Sequence, residues 1–486
     1  MKQRPQYHVT PWRNWMNDPN GLIFDGRNYH VFYQHNPEGH EWGPMHWGHS
    51  TSKDLYRWRH RPIALYPDEN GTCFSGSAIL DVKNHSGLMK KDNVPILLFY
   101  TSHPEEPADD GRHYQSQSLA YSDDGKRFTK HEGNPILPNQ GEADFRDPKV
   151  FYYEEGGFYI MVLAAGDHIA FYRSDNLLEW THLSDFGPGE NSIDGVWECP
   201  DLFPLQYKKK TYWILIVSMG TNHAQGRSVT QYFVGDFDGT SFASLEQTPH
   251  SRLIDEGTDN YAGVTFSGTN EPIVMGWAMN WGYAADTPTK GYVGQMTAPR
   301  TMSLYRDTSG HISLASLPVR FPKDAIASVR MISKSPYSLD FKGCPLVMEF
   351  TPDDADPSFE LTFRNDNGEH LHVWQDQERN LTVDRTYSGP LDYHEMLDDE
   401  FYRKRMVQPR TKEPGKFTVM LDGPLLEVYA DDGTRVFTMT AYPEEPYNKM
   451  ELRTVERAYG RVGILEDYEP SFAKNPFKNR PDGKKL

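Results

Sequence analysis

Short apolar segments alternate with polar turns over most of the chain. From residue 20 to about 315, runs rich in Tyr, Phe, Val and Ile are separated by Gly, Asn and Asp, as at 97–100, 158–163 and 213–217. Runs of this length with turn residues at both ends predict β-strands. Stretches with the period of an α-helix are scarce. The pattern therefore predicts an all-β structure.

A turn motif recurs along this region. In each copy an Asp or Asn is followed four residues later by an aromatic side chain, at positions 54, 124, 176 and 238. These positions are 70, 52 and 62 residues apart, a spacing that accommodates about four strands and is typical of the blades of a β-propeller. A last unit from about residue 261 to 314 brings the predicted number of blades to five. Ordinary turns in a sandwich or barrel remain the alternative, because such turns are common.

The pattern changes after residue 316. Shorter alternating strands resume further on, as at 347–350, 371–374 and 425–429, and they predict a β-sandwich. The predicted architecture is a five-bladed β-propeller at 1–316, a linker at 317–338, a β-sandwich domain at 339–470 and a C-terminal tail at 471–486.

Composition and charge narrow the range of functions. The formal net charge of −18 disfavours nucleic acid and anionic membranes as partners. No apolar run is long enough to predict a transmembrane helix. Three cysteines without a CxxC motif predict neither a disulfide framework nor a zinc site. The N-terminal residues lack an apolar signal region, so a cytoplasmic location is expected, although a trimmed secretion signal would leave the same sequence.

Polar clusters open the predicted blades, and three of these clusters carry an acid at the same relative place. The acids are Asp18, Asp147 and Glu198, while Phe74 and Ser75 open the second blade and residues 259–262 open the fifth. Because the innermost strand of each blade lines a central funnel, acids that are distant in sequence are expected to converge at one end of it. A turn at Asn17-Asp18-Pro19 and a structural ion pair at Arg146-Asp147 are the alternatives.

Converging carboxylates indicate either a hard metal ion or glycoside hydrolysis. A calcium site takes six to eight oxygen ligands, commonly from one short loop, and no such loop is present, so no metal is expected. Glycosidases instead use one carboxylate for attack and a second as an acid. Arg146 is expected to keep Asp147 ionised. Trp197 and Cys199 predict an apolar setting for Glu198, which suits a general acid.

Three motifs resemble the signatures of glycoside hydrolase family 32, the family of invertases, inulinases and levanases. They are Trp-Met-Asn-Asp-Pro-Asn-Gly at 15–21, Arg-Asp-Pro at 146–148 and Glu-Cys-Pro at 198–200. The resemblance covers almost the whole chain, and it is strengthened by residues 42–49, 74–77, 294–300, 384–389 and 427–429.

The resemblance implies retaining exo-hydrolysis of terminal non-reducing β-D-fructofuranosides, with release of fructose and without a cofactor. The substrates would be fructo-oligosaccharides, inulin- or levan-type fructans, or sucrose. By position, Asp18 matches the nucleophile, Glu198 the general acid/base and Asp147 the transition-state stabiliser. The residues that match the family's fructose pocket are Asn17, Gln34, Trp42, Phe74, Ser75, Arg146 and Trp281.

Several alternatives remain open on the sequence. Residues 276–289 resemble exo-inulinases and levanases, whereas 290–293 depart from that group. A solvated loop lysine is the favoured interpretation of Lys290; the alternative is a contact at the pocket rim that favours a phosphorylated sugar, as in sucrose-6-phosphate hydrolases. Fructosyl transfer at the same site, an inverting arabinan-type propeller hydrolase and a fructan-binding lectin with an inactive site are the other candidates. Exposed strands of the second domain could pair with another copy, so a homo-oligomer is compatible with the sequence.

Overall fold

The computed structural model describes residues 4–91, 93–187, 193–221, 228–245, 252–353, 355–455 and 458–472. In these residues the first part of the chain forms five antiparallel sheets, which we number as blades 1 to 5. Blade 1 contains β1 (Asn14–Phe24), β2 (Tyr29–Asn36), β3 (His46–Ser52) and β4 (Trp58–Leu65). Blade 2 contains β5 (Thr72–Leu80), β6 (Ile96–His103), β7 (Ser116–Ser122) and β8 (Thr129–Lys130). Blade 3 contains β9 (Phe145–Tyr153), β10 (Phe158–Ala165), β11 (His168–Ser174) and β12 (Thr181–Phe186).

The other two blades follow the same order. Blade 4 contains β13 (Glu198–Tyr207), β14 (Lys210–Met219), β15 (Val229–Phe237), β16 (Phe242–Ser244) and the short β17 (Arg252–Leu253), which pairs with β15. Blade 5 is built from β18 (Tyr261–Thr265) and β19 (Ile273–Trp277), with β21 (Arg300–Arg306) and β22 (Ile312–Pro318) outside them. Between them in sequence, β20 (Tyr292–Val293) pairs with β1 of blade 1.

The first strand of every blade is the innermost one. These strands contact each other in a closed ring, from β1 to β5, β9, β13 and β18 and back to β1. A ring of antiparallel sheets closed in this way is a β-propeller. The predicted fold, a five-bladed propeller followed by a sandwich, is confirmed.

The recurring turn motif joins the third and fourth strands of blades 1 to 4. In each copy the side-chain Oδ1 of the Asp or Asn accepts hydrogen bonds from the backbone N–H groups two and three residues later. This geometry explains why the motif needs a short oxygen-bearing side chain at its first position. The aromatic residue four positions on then begins or precedes the outermost strand.

A β-bulge interrupts the start of each innermost strand. Between paired residues the register shifts, so that one strand has an extra residue opposite its neighbour. The bulged positions are Asn17-Asp18, Ser75, Asp147-Pro148, Cys199-Pro200 and Ala262-Gly263. Bulges near active sites redirect side chains, and they tolerate Pro because the extra residue has no ladder partner. The same local device therefore turns residues of all five blades towards one end of the funnel.

A buried ion pair lies in the channel between the innermost strands. Lys149 Nζ lies 3.0 Å from Asp201 Oδ2 and donates to the backbone oxygen of Thr265 at 2.8 Å. Asp201 Oδ2 also accepts the backbone N–H of Thr265. The remaining space here, lined in part by Lys149 and Thr265, has a volume of only about 10 Å³. The funnel is therefore closed beneath the bulges.

The second part of the chain forms two packed sheets. In chain order their strands are β23 (Ile326–Ile332), β24 (Tyr337–Asp340), β25 (Leu346–Pro352), β26 (Phe359–Arg364), β27 (His370–Gln375), β28 (Leu381–Asp384), β29 (Lys404–Val407), β30 (Phe417–Asp422), β31 (Leu425–Ala430), β32 (Arg435–Thr440), β33 (Lys449–Thr454) and β34 (Ala458–Leu465). One sheet has the order β23-β34-β25-β30-β31-β32 and the other β24-β33-β26-β27-β28-β29. Alternate residues of these strands are buried between the sheets, because successive side chains of a strand point to opposite faces.

Two boundaries differ in detail from the sequence interpretation. Strand β23 lies within the range predicted as a linker, yet it pairs along its length with β34 of the sandwich. At the other end, β35 (Ser471–Phe472) pairs in parallel with β4 of the propeller. The rest of the predicted tail, 473–486, lies outside the described residues.

Helical segments are short. Among the described residues they are α1 (Glu400–Arg403) and the 3-10 turns Ala284–Asp286, Lys323–Ala325 and Glu395–Asp398. In the described ranges, no helix is both long enough and apolar enough to cross a membrane.

Buried charges join the two domains. Arg300 of the propeller contacts Asp255 at 2.8 Å and Glu427 of the sandwich at 2.6 Å. His8 lies between Asp422 and Glu427, at 2.7 and 3.0 Å. All of these side chains are almost fully buried, so each depends on its partners to compensate for lost hydration.

The channel ion pair predicts a large stability effect. Replacing Lys149 by Ala leaves Asp201 buried without its counter-ion, and we expect the free energy of unfolding to fall by about 3–5 kcal/mol. Lys210→Ala is the matched control, because its 3.2 Å pair with Asp236 is half exposed, and it should cost no more than about 1 kcal/mol. Urea denaturation of the two variants measures both losses; equal losses would contradict the structural role of Lys149.

Candidate active site

A cleft opens where the bulged ends of the innermost strands meet. All of the residues predicted from the sequence as catalytic or substrate-binding line this cleft: Asn17, Asp18, Gln34, Trp42, Phe74, Ser75, Arg146, Asp147, Glu198 and Trp281. Further lining residues are His103, Gln115, Asp144, Gly220 and Thr221. The structure thus brings together side chains from blades 1 to 4 and from the loop after β19.

Asp18 lies at the bottom of the cleft and is only 8% exposed. Its Oδ2 accepts a hydrogen bond from Ser75 Oγ at 3.1 Å, and the thiol of Cys199 lies 3.5 Å from the same oxygen. Its Oδ1 is buried and accepts no hydrogen bond from the described residues. Burial raises the pKa of Asp18 to about 7, and the nearby carboxylates of Glu198 and Asp147 add to the shift. Ser75 therefore fixes Oδ2, whereas Oδ1 has no hydrogen-bond partner among the described residues.

Asp147 is held by its neighbours on both sides of the bulge. Its backbone N–H donates to Thr101 Oγ1 at 2.9 Å, and its Oδ2 accepts the backbone N–H of Cys199 at 2.8 Å. Asp147 and Cys199 both have positive φ, 66° and 48°, a conformation that is uncommon for residues with a side chain. The bulges therefore aim the Asp147 carboxylate and the Cys199 N–H at each other.

Two opposing effects set the electrostatics of Asp147. Burial raises the pKa of Asp147 to about 6, while the nearby Arg146 guanidinium lowers it and so favours the ionised carboxylate. The Arg146 guanidinium donates to the carboxylates of Asp144 and Glu198, at 2.7 and 3.0 Å, so its charge is shared with other acids.

Glu198 lies higher in the cleft, with a side chain that is 27% exposed. Its Oε1 accepts from Arg146 and its Oε2 accepts from the hydroxyl of Tyr261. The expectation of an apolar setting provided by Trp197 and Cys199 is wrong. Trp197 packs into the core between blades 3 and 4, against Phe186 and Phe233 among others, and not beside the Glu198 carboxylate.

Aromatic and amide side chains form the walls around the acids. Phe74 stacks on His103, with ring centroids 4.2 Å apart, and the edge of Trp42 faces Phe74. On the opposite wall Trp281 packs on Trp277. Gln34 donates to Asn20 Oδ1 at 2.6 Å. The pocket therefore combines flat apolar surfaces with fixed polar groups, the combination that small-molecule sites use for orientation and specificity.

Exposure increases from the bottom of the cleft to its rim. Asp18 and Asp147 are 8% and 5% exposed, Glu198 has intermediate exposure, and the side chain of Asp144 and the whole residue Trp42 are 42% and 49% exposed. A ligand that enters the cleft therefore meets Trp42 and Asp144 before it reaches Asp18 and Asp147.

Several cleft residues were not identified from the sequence. Asp144 lies two residues before Arg146, and Tyr261 belongs to the polar cluster that opens blade 5, so local signals for both were present. His103 ends β6 and Gln115 precedes β7, and neither belongs to a recognisable motif. Lys290, considered as a phosphate contact, is exposed and is not among the described residues that line the cleft.

Comparison with known proteins identifies the family. The sequence model of the glycosyl hydrolases family 32 N-terminal domain matches residues 8–316, and that of the glycosyl hydrolases family 32 C terminal matches residues 327–465. The chain belongs to glycosyl hydrolase family 32 and is a glycoside hydrolase.

Individual relatives support this assignment over nearly the full chain. The levanase of Bacillus subtilis (strain 168) is 39% identical over 476 residues, which cover 92% of this chain and 68% of the levanase. The extracellular exo-inulinase of Aspergillus awamori is 34% identical over 490 residues, covering 90% of this chain and 89% of the relative.

Solved structures show the same architecture. The crystal structure of exo-inulinase from Aspergillus awamori superposes with a TM-score of 0.84 at 30% identity, covering 96% of this chain and 98% of the other. The β-fructofuranosidase from Schwanniomyces occidentalis, complexed with fructosyl-erythritol, superposes with a TM-score of 0.83 at 26% identity, with the same coverage.

The raised pKa of Asp18 predicts the acidic limb of the pH profile. A reaction that needs the Asp18 carboxylate should lose rate as the pH falls through about 7, because protonation removes the charge. Ser75→Ala removes a hydrogen bond that lowers this pKa, so the acidic limb of kcat/KM should move to higher pH. Ser77→Ala is the matched control, because Ser77 Oγ instead accepts the backbone N–H of Val150. A limb that stays in place in Ser75→Ala would show that Asp18 does not control it.

Proposed function

We propose that the protein releases fructose from the non-reducing ends of β-D-fructofuranosides, with retention of configuration. The observation that carries the proposal is the grouping of Asp18, Asp147 and Glu198 in one cleft. Asp18 Oδ1 has no hydrogen-bond partner among the described residues, and Glu198 accepts hydrogen bonds from Arg146 and Tyr261. A retaining glycosidase needs one carboxylate that can attack and a second that can exchange a proton.

In the first half of the proposed reaction, Asp18 Oδ1 attacks C2 of the terminal fructosyl unit. Glu198 gives its proton to the glycosidic oxygen, the bond from C2 to that oxygen breaks, and the shortened sugar leaves. A covalent fructosyl ester on Asp18 remains. Asp147 would accept hydrogen bonds from fructose hydroxyls and stabilise the positive charge that develops at C2.

In the second half, water attacks C2 of the ester. Glu198 takes a proton from this water, the bond to Asp18 breaks, and fructose leaves. Glu198 thus alternates between acid and carboxylate, and its partner Tyr261 suits both forms because a phenol can donate to a carboxylate or accept from a carboxylic acid. Arg146 would hold Glu198 in place through both halves.

The depth of the site supports exo-action. The Lys149–Asp201 pair closes the funnel beneath the acids, so a chain cannot pass through. A terminal fructosyl unit would occupy the bottom, beside Asp18. The leaving sugar would then lie towards the rim, where His103, Gln115 and Asp144 line the cleft.

Fructans and sucrose are the proposed substrate class. The names of the relatives, levanase and exo-inulinase, support fructans, and an invertase of Schizosaccharomyces pombe, 39% identical over 317 residues, supports sucrose. The exposed position of Lys290 outside the cleft gives no support for a phosphorylated sugar. A fructose-release assay with sucrose, 1-kestose, inulin, levan and sucrose 6-phosphate tests this class; no release from any of them would reject the proposal.

Substitution of the acids should separate their roles. Glu198→Gln should lower kcat/KM for sucrose by about 10²–10⁴-fold, but much less for p-nitrophenyl β-D-fructofuranoside, whose phenolate leaves without a proton. Asp18→Asn should abolish turnover of both substrates. Glu142→Gln, an exposed carboxylate outside the cleft, is the matched control and should behave as wild type. Equal losses on both substrates in Glu198→Gln would contradict its role as the acid.

A further inference from the structure

The loop that carries Trp281 is fixed by hydrogen bonds from the propeller. Asn280 is fully buried; its Nδ2 donates to the backbone oxygen of Thr258 at 2.8 Å, and its Oδ1 accepts the backbone N–H of Gly282 at 2.9 Å. The backbone N–H of Trp281 donates to Ser228 Oγ at 3.0 Å. These hydrogen bonds hold the Trp281 loop, and thus one wall of the cleft, to the propeller.

Residues of the sandwich domain hold the same loop through a second set of contacts. Arg385, which is fully buried, contacts Asp259 Oδ2 through Nη1 at 3.0 Å and donates to the hydroxyl of Tyr283 through Nη2 at 2.9 Å. The Tyr283 hydroxyl in turn donates to the other oxygen of Asp259. The backbone N–H of Thr440 also donates to Asp259 Oδ2, at 2.7 Å. Arg385, Asp259 and Tyr283 therefore form a closed triangle across the domain boundary.

Packing reinforces the triangle. Tyr283 is buried against Leu397 and Tyr402 of the sandwich. Met396 fills the space beside Gly282, where an added Cβ would lie 2.2 Å from its sulfur. The segment around Met396 therefore leaves no room for the Trp281 loop to move towards the sandwich.

The triangle is adjacent in sequence to two residues on the Trp281 side of the active site. Tyr283 lies two residues after Trp281, and Asp259 lies two residues before Tyr261. Tyr261 donates to Glu198 and its ring meets the Trp281 ring edge to face, with centroids 6.1 Å apart. A shift of Asp259 or Tyr283 would therefore displace Tyr261 and Trp281, and with them the hydrogen bond to Glu198.

We propose that Arg385 of the sandwich is a positioning residue for the active site, acting through Asp259 and Tyr283 on Tyr261 and Trp281. The inference rests on the proposed function, and it assigns a role in turnover to the second domain. A guanidinium suits this place because its planar fork contacts two partners at once, which a lysine cannot reproduce. Loss of the guanidinium would leave Asp259 buried beside no cation, so the backbone that leads to Tyr261 would adjust.

The test uses three variants of the two-domain protein, each of which removes a different part of this arrangement. Tyr283→Phe removes one hydroxyl and keeps the ring, Met396→Ala opens the space beside Gly282, and Arg385→Lys removes the fork. Since misplacement by about 1 Å can cost about a hundredfold in rate, we expect kcat/KM for sucrose to fall by at least about tenfold in Arg385→Lys and less in the other two. KM should rise in Met396→Ala, because the Trp281 wall loosens.

Arg435→Lys is the matched control. Arg435 is equally buried and forms a 2.6 Å pair with Asp431, and its hydrogen-bond partners Gln375, Arg379 and Val407 also lie within the sandwich. It should lower the midpoint of thermal unfolding while kcat and KM stay at wild-type values.

Different outcomes test the positioning role of Arg385 and the proposed release of fructose. Wild-type kinetic constants in both Tyr283→Phe and Met396→Ala, with only their thermal stability reduced, would overturn the positioning role. The same kinetic loss in Arg435→Lys would also overturn it, because general destabilisation would then explain the effect. Absence of fructose release by the wild-type protein would instead reject the proposed function. If Arg385→Lys does not fold, the other two variants still decide the question.

Discussion

Three carboxyl groups share one cleft despite their mutual repulsion, and the rest of the site depends on the way the backbone holds them there. Like charges at short range, with little water between them, raise the free energy of the ionised state. The bulges of β1, β9 and β13 fix the groups through Cys199, which follows Glu198, donates its N–H to Asp147 and places its thiol beside Asp18. Arg146 supplies the one guanidinium that reaches the cleft among the described residues.

The ring of blades explains why such a site can be built from distant residues. Each innermost strand starts at the same end of the funnel, so a bulge at each start directs its side chains into one space. The buried pair of Lys149 and Asp201 closes the channel below, and the sandwich supports the wall that holds Trp281. The same strands therefore carry the residues of the site and stabilise the fold, because the residues after each bulge are part of the core.

The sequence carried strong information on the fold and on the acids. Four Asx turns with a following aromatic mark the outer edges of blades, since only a short oxygen-bearing side chain makes the required hydrogen bonds. Asp18, Asp147 and Glu198 were found because each lies in a local motif. The surroundings of Glu198 were not predictable, because Trp197 packs into the core and Tyr261, which is 63 residues away on another blade, donates to the carboxylate. The Arg385 triangle depends on tertiary contacts between domains, which leave no local pattern.

The covalent role of Asp18 is the central claim, and trapping the intermediate tests it most directly. In Glu198→Gln, p-nitrophenyl β-D-fructofuranoside can still transfer its fructosyl group, while the missing base slows release by water. Mass spectrometry of the digested protein should then find one fructosyl group on the peptide that contains Asp18. A fructosyl group on Asp147, or rapid release of fructose with no adduct on any carboxylate, would contradict the account.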